Sequence, residues 1–298
     1  MQVITQPDDG LADILKAIKR ARTSIDIVVF RFDLSEVEKA LTAAVERGVA
    51  VRALIAHTNR GGEKSLRRLE DRLLKAGVTL SRTADDMVRY HGKLLLVDRK
   101  KAFVLGFNYT RLDVMKSRSF GLLTKKRKIV LELLRLIDSD HNRTEYKPRS
   151  TQLVVSPENA RERLSAFITK ARKELLIYDE GVTDDRIITL LKERADAGVD
   201  IRILGRLEKK WRDLPIEVER LKGMRLHVRA IVRDRRAVFV GSQSLRKLEL
   251  DERREVGLVT KHAPSVKKIA TTCDADWNEA APKKARAGRE SRRARARR

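Results

Sequence analysis

Apolar and polar positions along this chain follow two spacings in turn. Residues 11–22 carry apolar side chains at helical spacing, and residues 25–32, which are mostly apolar, predict a buried strand. A helix that begins at Ser35 comes next, and Gly48 ends it before an apolar strand over residues 49–56. Strands that alternate with helices in this way predict an α/β layer fold.

Further elements follow the same rule. Ser35 and Glu38 have the spacing of a capping box, so we expect the Ser35 side chain to cap its helix. Residues 63–76 predict another helix, with a short strand over residues 78–81, and residues 128–138 predict a helix near the middle of the chain.

The order of elements returns in the second half. Two segments repeat at one common offset: 17–22 in 167–172, and 48–52 in 198–202. A histidine motif also occurs twice, at His91 and His227, but those positions are closer together than the offset of the other repeats. The chain is therefore predicted to be an internal duplication. Its second half has lost a short segment where the first half has a helix and a loop.

We predict three parts in the chain. A first half covers residues 1–148, a second half covers residues 149–280, and a basic tail covers residues 281–298. The boundary between the halves falls in the polar stretch 142–150. The tail alternates alanine and arginine without any large apolar residue, so we expect it to be disordered.

The net charge narrows the class of partner. It is +25, and residues 282–298 contribute nine Lys or Arg and one Glu to it. Such a surplus favours nucleic acid, an anionic lipid surface or a phosphorylated substrate, and charge alone does not choose between them.

Cysteine content and hydropathy predict where the protein works. Cys273 is the only cysteine, which excludes an internal disulfide and favours a reducing compartment. The first ten residues lack the layout of a signal peptide, and no window approaches about 18 uncharged apolar residues. We expect a cytoplasmic protein, at most peripheral to a membrane.

Two stretches carry the candidate chemistry. They are His91-Gly-Lys93-Leu-Leu-Leu-Val-Asp98 and His227-Val-Arg229-Ala-Ile-Val-Arg-Asp234. If each stretch is a strand, alternate side chains share a face, so His91 and Lys93 lie together and Asp98 lies on the other face. Asp98 and Asp234 are therefore predicted to be structural supports.

The correspondence continues beyond each motif. Asn108 and Ser244 lie ten residues after the aspartate of their own motif, each in a turn that contains glycine. Ser119 and Glu255 lie eleven residues further on, each in a predicted strand.

These motifs resemble the phospholipase D superfamily, whose signature is His-x-Lys-x-x-x-x-Asp, followed by Gly-Ser-x-Asn and a later acidic residue. The resemblance covers residues 1–280 in two tandem halves. It implies a duplicated α/β/α sandwich with one active site at the interface of the halves. It also implies cleavage of phosphodiesters through a phosphohistidine, with no metal and no other cofactor.

Phosphodiester chemistry accounts for these residue types. The negative charge of the diester repels nucleophiles, and the leaving alkoxide departs poorly unless it is protonated. One imidazole can attack phosphorus, cations can bind the non-bridging oxygens, and a second imidazole can protonate the leaving oxygen.

The resemblance also implies roles. In the family, the nucleophilic histidine of one half is oriented by the acidic residue of the other half. Glu255 would then orient His91, whereas the matching partner of His227 is Ser119, which carries no charge. We therefore expect His91 to be the nucleophile and His227 the general acid. The groups expected to bind phosphate oxygens are Lys93, Arg229, Asn108 and Ser244.

Departures from the signature leave alternatives open. Arg229 replaces a lysine, Ser244 replaces an asparagine, and Ser119 replaces an acid. The leading hypothesis is hydrolysis or transfer of phosphatidyl groups by a monomer that meets anionic membrane peripherally. The alternatives are a nuclease that binds nucleic acid through the basic surface and tail, and a degenerate, non-catalytic binder of anionic polymers or membranes.

Overall fold

The computed structural model describes residues 1–58, 63–211 and 213–281. The first half contains, in order, β1 (Gln2–Gln6), α1 (Ala12–Lys19), β2 (Ser24–Val29), α2 (Ser35–Glu46), β3 (Ala50–Ile55), α3 (Glu63–Lys75), β4 (Thr79–Arg82), β5 (Arg89–Tyr90), β6 (Leu94–Val97), β7 (Lys101–Leu105), α4 (Arg111–Met115), β8 (Ser117–Thr124) and α5 (Arg127–Asn142).

The second half repeats this order. It contains β9 (Leu153–Ser156), α6 (Ala160–Thr169), β10 (Glu174–Val182), α7 (Asp185–Asp196), β11 (Asp200–Leu207), β12 (Glu217–Glu219), β13 (Arg225–Leu226), β14 (Arg229–Arg233), β15 (Ala237–Gly241), α8 (Lys247–Asp251), β16 (Arg253–Thr260) and α9 (Ala263–Ala280). The tail predicted for residues 281–298 lies outside the described residues, apart from Ala281.

The two halves build sheets of the same topology. The first sheet has the order β4-β3-β2-β6-β7-β8-β1, and the second has the order β12-β11-β10-β14-β15-β16-β9. In each sheet the first three strands are parallel to one another and the remaining neighbours are antiparallel. The predicted α/β fold and internal duplication are confirmed.

Three apolar cores hold the layers together. One joins α1, α2 and α3 to the first sheet, and a second joins α6, α7 and α8 to the second sheet. The third lies between the sheets, where apolar residues of α5 and α9 pack against strands of both halves. Because this central core is shared, the halves are bound by burial of apolar surface as well as by the site itself. None of the helices in the described segments has the length and apolarity that a membrane crossing requires.

One local prediction was wrong. Ser35 is the first residue of α2, and Leu34 takes the N-cap position without a side-chain hydrogen bond. The Ser35 hydroxyl therefore lies inside the first turn, 3.4 Å from the Glu36 carboxylate, instead of next to a free backbone amide. The predicted end of this helix is correct, since Gly48 follows it with a φ of +82°, a conformation that glycine adopts without steric cost.

The length difference between the halves lies where the sequence predicted it. The first half places the 13-residue helix α3 between β3 and β4. At the same point the second half has only a 3-10 turn at Lys209–Trp211 before β12.

Two very short strands cross from one half to the other. β5 belongs to the first half by sequence but pairs with β16, and β13 belongs to the second half but pairs with β8. Each crossing strand immediately precedes a motif histidine. The fold therefore places both histidines at the seam between the halves.

Buried arginines reinforce this seam at two related positions. Arg118 on β8 binds Asp276 on α9 through two hydrogen bonds of 2.8 and 3.1 Å. Arg254 and Asp140, which match this pair at the sequence offset of the two histidines, form the other pair at 3.1 Å. Asp276 also accepts a hydrogen bond of 2.5 Å from the Tyr178 hydroxyl. All these carboxylates and guanidinium groups are buried. Each arginine also contacts a second, more exposed carboxylate, Asp8 for Arg118 and Glu158 for Arg254, so loss of the buried partner leaves a charge that is only partly compensated.

Removal of the Asp276 carboxylate should destabilise the fold strongly. We expect Asp276→Ala to lower the free energy of unfolding by about 3 to 5 kcal/mol, because the Arg118 charge stays buried without its bidentate partner. Urea denaturation followed by circular dichroism measures this change. Asp196→Ala is the control, since it removes an exposed ion pair with Lys192 and should cost less than about 0.5 kcal/mol. Equal costs for the two variants would contradict a structural role of the buried pair.

Candidate active site

Both motif histidines are fixed by the backbone of the opposite half. The His91 amide donates a hydrogen bond of 2.7 Å to the Arg254 carbonyl, and the His227 amide donates one of 3.1 Å to the Arg118 carbonyl. The stretch from His91 to Asp98 was predicted to be one strand, and this prediction was wrong. Within it only Leu94–Val97 (β6) forms a strand, which pairs with β2, and residues 91–93 connect that strand to β5, which pairs with the second half.

The ring of His91 contacts an acid from the other half. Its Nδ1 lies 2.8 Å from Oε2 of Glu255, a side chain with no exposed surface. Burial lowers the pKa of His91 well below its usual value, and the nearby Lys93 and Arg229 charges lower it further. A neutral imidazole that donates Nδ1–H to a carboxylate leaves the Nε2 lone pair available as a nucleophile. Phe30 packs edge-on against this ring, at 4.4 Å between centroids.

Lys93 lies beside this histidine without a hydrogen-bonding partner. Its Nζ is buried, makes no hydrogen bond to any described residue and lies 5.4 Å from the centre of the Phe30 ring. Burial lowers its pKa to about 7, although Glu255 opposes that shift. A buried cation that lacks a polar partner is costly, so an anion bound there would gain the interaction that the protein does not supply.

The second histidine has a carboxylate that sequence reasoning missed. The sequence placed Ser119 opposite His227. Its hydroxyl donates a hydrogen bond of 3.1 Å to the backbone carbonyl of His227 and does not contact the ring. Asp113 on α4 instead places Oδ2 at 3.4 Å from Nδ1 of His227. This is an ion-pair distance, and Nδ1 makes no hydrogen bond within the described part of the chain.

Asp113 is itself held firmly. Its carboxylate accepts a hydrogen bond of 2.5 Å from Arg225 and one of 2.8 Å from the backbone amide of Asn108, and the side chain is almost fully buried. The acid beside His227 thus lies six residues before position 119 and not at that position. One signal could have revealed it: Glu249 matches Asp113 at the same sequence offset that separates the two histidines.

Burial also controls the charge of His227. It lowers the pKa of this histidine well below the usual value, with Arg229, Lys93, Arg225 and His91 adding to the shift. The mutual effect of His91 and His227 requires the two rings to lie close together. The structure therefore brings His91, Lys93, His227, Arg229 and Glu255 into one site.

The predicted phosphate-binding groups lie in this site with protein partners. The Asn108 Nδ2 donates 2.7 Å to Asp113, while its carbonyl oxygen is buried without a hydrogen bond to any described group. Arg229 donates 3.2 Å to the Ser244 hydroxyl and lies 3.1 Å from Glu180. Glu180 was not predicted. At the matching position of the first half, directly after β2, the chain has Phe30.

Asp98 and Asp234 lie outside the site. Asp98 accepts backbone hydrogen bonds from residues 22–24 at 2.9, 2.8 and 3.3 Å. Asp234 does the same for residues 172–174. Partial burial would raise the pKa of each carboxyl, but the backbone hydrogen bonds outweigh it and lower the pKa. Both side chains tie the end of a motif to the start of a central strand.

These groups can perform nucleophilic and acid–base chemistry on an anion. The site holds two imidazoles, two cations and the carboxylates that position them. Within the described residues no group of three or more His, Cys, Asp or Glu side chains could hold a metal ion.

Comparisons with known proteins match both halves of the chain. A family model described as "Cardiolipin synthase, PLD-like domain" matches residues 14–141 and again residues 164–277. A mitochondrial cardiolipin hydrolase of Danio rerio is 27% identical over 117 residues, which are 39% of this chain and 50% of that protein. The matched region thus spans half the length of that curated relative.

Two crystal structures share the fold. Polyphosphate kinase from Porphyromonas gingivalis aligns with a TM-score of 0.76 and 20% identity, over 92% of this chain and 49% of its own. Phosphatidylserine synthase from Haemophilus influenzae Rd KW20 aligns with a TM-score of 0.70 and 10% identity, over 91% of this chain and 85% of its own. At these identities the likeness concerns the fold alone.

Proposed function

The chain belongs to the phospholipase D superfamily, and from that premise we propose that it is a phosphodiesterase that hydrolyses or transfers the phosphatidyl group of phospholipids through a phosphohistidine. The observation that carries the proposal is the pairing of His91 with Glu255 across the two halves, next to the unpartnered Lys93. The chain's own residues supply every charge that the reaction needs, so the proposed reaction uses no metal ion.

The first step forms the phosphohistidine. Nε2 of His91 attacks phosphorus, the bond from phosphorus to the leaving oxygen breaks, and His227 gives its proton to that oxygen. Because burial lowers the pKa of His227, this imidazole must take up a proton from solvent as the anionic substrate binds beside it. Lys93 and Arg229 stabilise the charge that develops on the non-bridging oxygens.

The second step releases the product. Water or an alcohol attacks phosphorus, the bond to Nε2 of His91 breaks, and the now neutral His227 takes the proton of the attacking hydroxyl. Glu255 and Asp113 act through the two imidazoles as positioning residues. Asn108 and Ser244 provide an amide and a hydroxyl to the phosphate once they turn from their protein partners.

A phospholipid substrate is supported by the family description and by the name of the curated relative. We propose that the protein works as a monomer, because both half-sites belong to one chain, and that its basic surface brings it to anionic membrane. The net charge of +25 is equally suited to nucleic acid, which makes a nuclease the second candidate.

One assay separates these functions. The purified chain is offered phosphatidylglycerol vesicles, single-stranded DNA and double-stranded DNA in parallel, all in EDTA, with His91→Ala as the control. Lipid turnover that disappears in the variant supports the proposal. Cleavage of DNA that depends on His91, without lipid turnover, would replace it by the nuclease. Binding with no turnover of any substrate would identify a non-catalytic protein.

The pH dependence of activity tests the role of Lys93. Its pKa of about 7 means that the free protein loses this cation as pH rises through 7. Arginine stays charged in this range, so we compare kcat/KM of the unaltered chain with that of Lys93→Arg at each pH. We expect the ratio to fall about tenfold per pH unit above pH 7. Titration of groups common to both proteins cancels in the ratio, and a ratio that is constant from about pH 6 to 9 would contradict the role.

A further inference from the structure

A cleft opens beside His227 where the parallel strands β10 and β11 end. It consists of two adjoining cavities of about 420 and 730 Å³. The residues that line both are Glu180, Gly205, Arg206, Arg220 and Arg246. The carboxyl ends of parallel strands commonly form ligand sites in α/β folds, so this position favours a binding role.

The smaller cavity lies next to the active site, since Glu180, which lines it, is 3.1 Å from Arg229. Leu226, which lines it, directly precedes His227. Arg225 also lines it and is hydrogen-bonded to Asp113, the partner of His227. A substrate held at the two histidines would therefore extend into this cavity first.

The smaller cavity carries uncompensated positive charge. Of its ionic groups, Arg225 is paired with Asp113, and Glu180 is paired with Arg229. Arg246 donates a hydrogen bond of 2.8 Å to the Gly181 carbonyl, a neutral group that does not balance the guanidinium charge. Arg206 and Arg220 are exposed and form neither a hydrogen bond nor an ion pair within the described residues. None of these three arginines forms a direct ion pair within the described residues, although the charge of Arg246 also acts on the buried Asp179 and Glu249.

The larger cavity differs in character. Its lining includes the aliphatic side chains of Val182, Leu207, Ile216 and Val218, and none of the described residues that line either cavity is aromatic. Stacking of bases on aromatic rings is the usual way to hold single-stranded nucleic acid, and this cleft does not provide it. Glu208 and Glu219 also line the larger cavity, which confines an anionic group to the smaller one.

We propose that Arg206, Arg220 and Arg246 bind a second phosphate group of the substrate, while the first phosphate reacts between His91 and His227. The substrate class is then a phospholipid with two phosphates, whose glycerol and upper acyl carbons contact the aliphatic wall. This inference rests on the proposed function for its lipid part, but the second phosphate site is testable without turnover.

Binding of soluble head groups to the full chain tests the site directly. Calorimetry compares glycerol 1,3-bisphosphate with glycerol 1-phosphate. We expect the bisphosphate to bind about 30-fold more tightly, because charge-assisted hydrogen bonds to a second phosphate add to those of the first. The double variant Arg206→Gln/Arg220→Gln should remove that preference. The control is Arg127→Gln/Arg172→Gln, which loses the same charge from exposed positions away from the cleft and should keep the preference.

Equal affinity for the two compounds, or a preference that survives in the Arg206→Gln/Arg220→Gln variant, would overturn the proposal. Turnover then identifies the source of the second phosphate. In neutral-detergent micelles, cardiolipin has two phosphates and phosphatidylglycerol one, and only cardiolipin turnover should fall about 30-fold in the double variant. A bisphosphate preference without lipid turnover would keep the site and reject the phospholipid function. If the Arg206→Gln/Arg220→Gln variant lost only DNA cleavage, the assignment of the cleft to a lipid would be overturned.

Discussion

His91→Asn should lower kcat by at least about 10⁴-fold on every phosphodiester that the unaltered chain cleaves. Asparagine offers no nucleophilic nitrogen at the place of Nε2, so no covalent intermediate can form and only binding and electrostatic effects remain. The measurement is initial-rate kinetics at saturating substrate. His262→Asn is the control, because His262 caps α9 and asparagine is well suited to that position. More than one percent residual activity in His91→Asn, roughly a hundredfold loss or less, would exclude His91 as the nucleophile.

Trapping of the intermediate separates the two histidines. In His227→Asn, with a substrate whose leaving group needs no protonation, labelled phosphate should accumulate on His91 because release of the second product lacks its base. Rapid quenching at alkaline pH and peptide mapping by mass spectrometry locate the label. A phosphate found on His227 in the unaltered chain would reverse the roles proposed for the two residues.

Glu255→Gln should lower kcat by about 10³- to 10⁴-fold while KM changes little. The amide is nearly the same size as the carboxyl, yet it no longer selects the imidazole tautomer that leaves Nε2 unprotonated. It also cannot stabilise positive charge on the ring. Because Glu255 has no exposed surface, bulk solvent cannot reach its position to take over either role.

Glu249→Gln provides the matched control for this loss. Glu249 is also a buried carboxyl of the second half, but its partner is Arg253, at 2.9 Å, and not a histidine. We expect this variant to lose some stability and little activity, with a change in kcat below about threefold. Equal losses of kcat in the two variants would show that any buried carboxyl at the seam matters, and would refute a specific role of Glu255.

Periodicity and motif spacing were sufficient to predict the parts of this molecule that repeat. The helices and strands followed from periodicity, and the duplication and the shorter second half followed from sequence offsets between matching segments. The proximity of His91 to Glu255 was implied by the resemblance to the phospholipase D superfamily. Such offsets work because both halves bury the same faces, so equivalent residues return to equivalent places.

Contacts that differ between the halves could not be predicted in this way. Asp113 contacts His227 because α4 turns its side chain toward the seam. The match of Asp113 with Glu249 marks the position of an acid in the sequence, but it does not tell the direction of the side chain. Glu180 binds Arg229 where the first half has Phe30, so the pairing exists once and has no repeat to reveal it. The break between β5 and β6 also escaped, since an apolar run does not tell which sheet each of its residues joins.

The crossing strands β5 and β13 make activity a reporter of how the halves are docked. Each histidine belongs to one half by covalent connection and to the other by its backbone hydrogen bond. If the halves separate by a few ångströms while both sheets stay folded, His91 loses Glu255 and His227 loses Asp113 in the same movement. A chain whose halves are separated would then bind phosphates without cleaving them. On denaturation, activity would be lost before the helical structure.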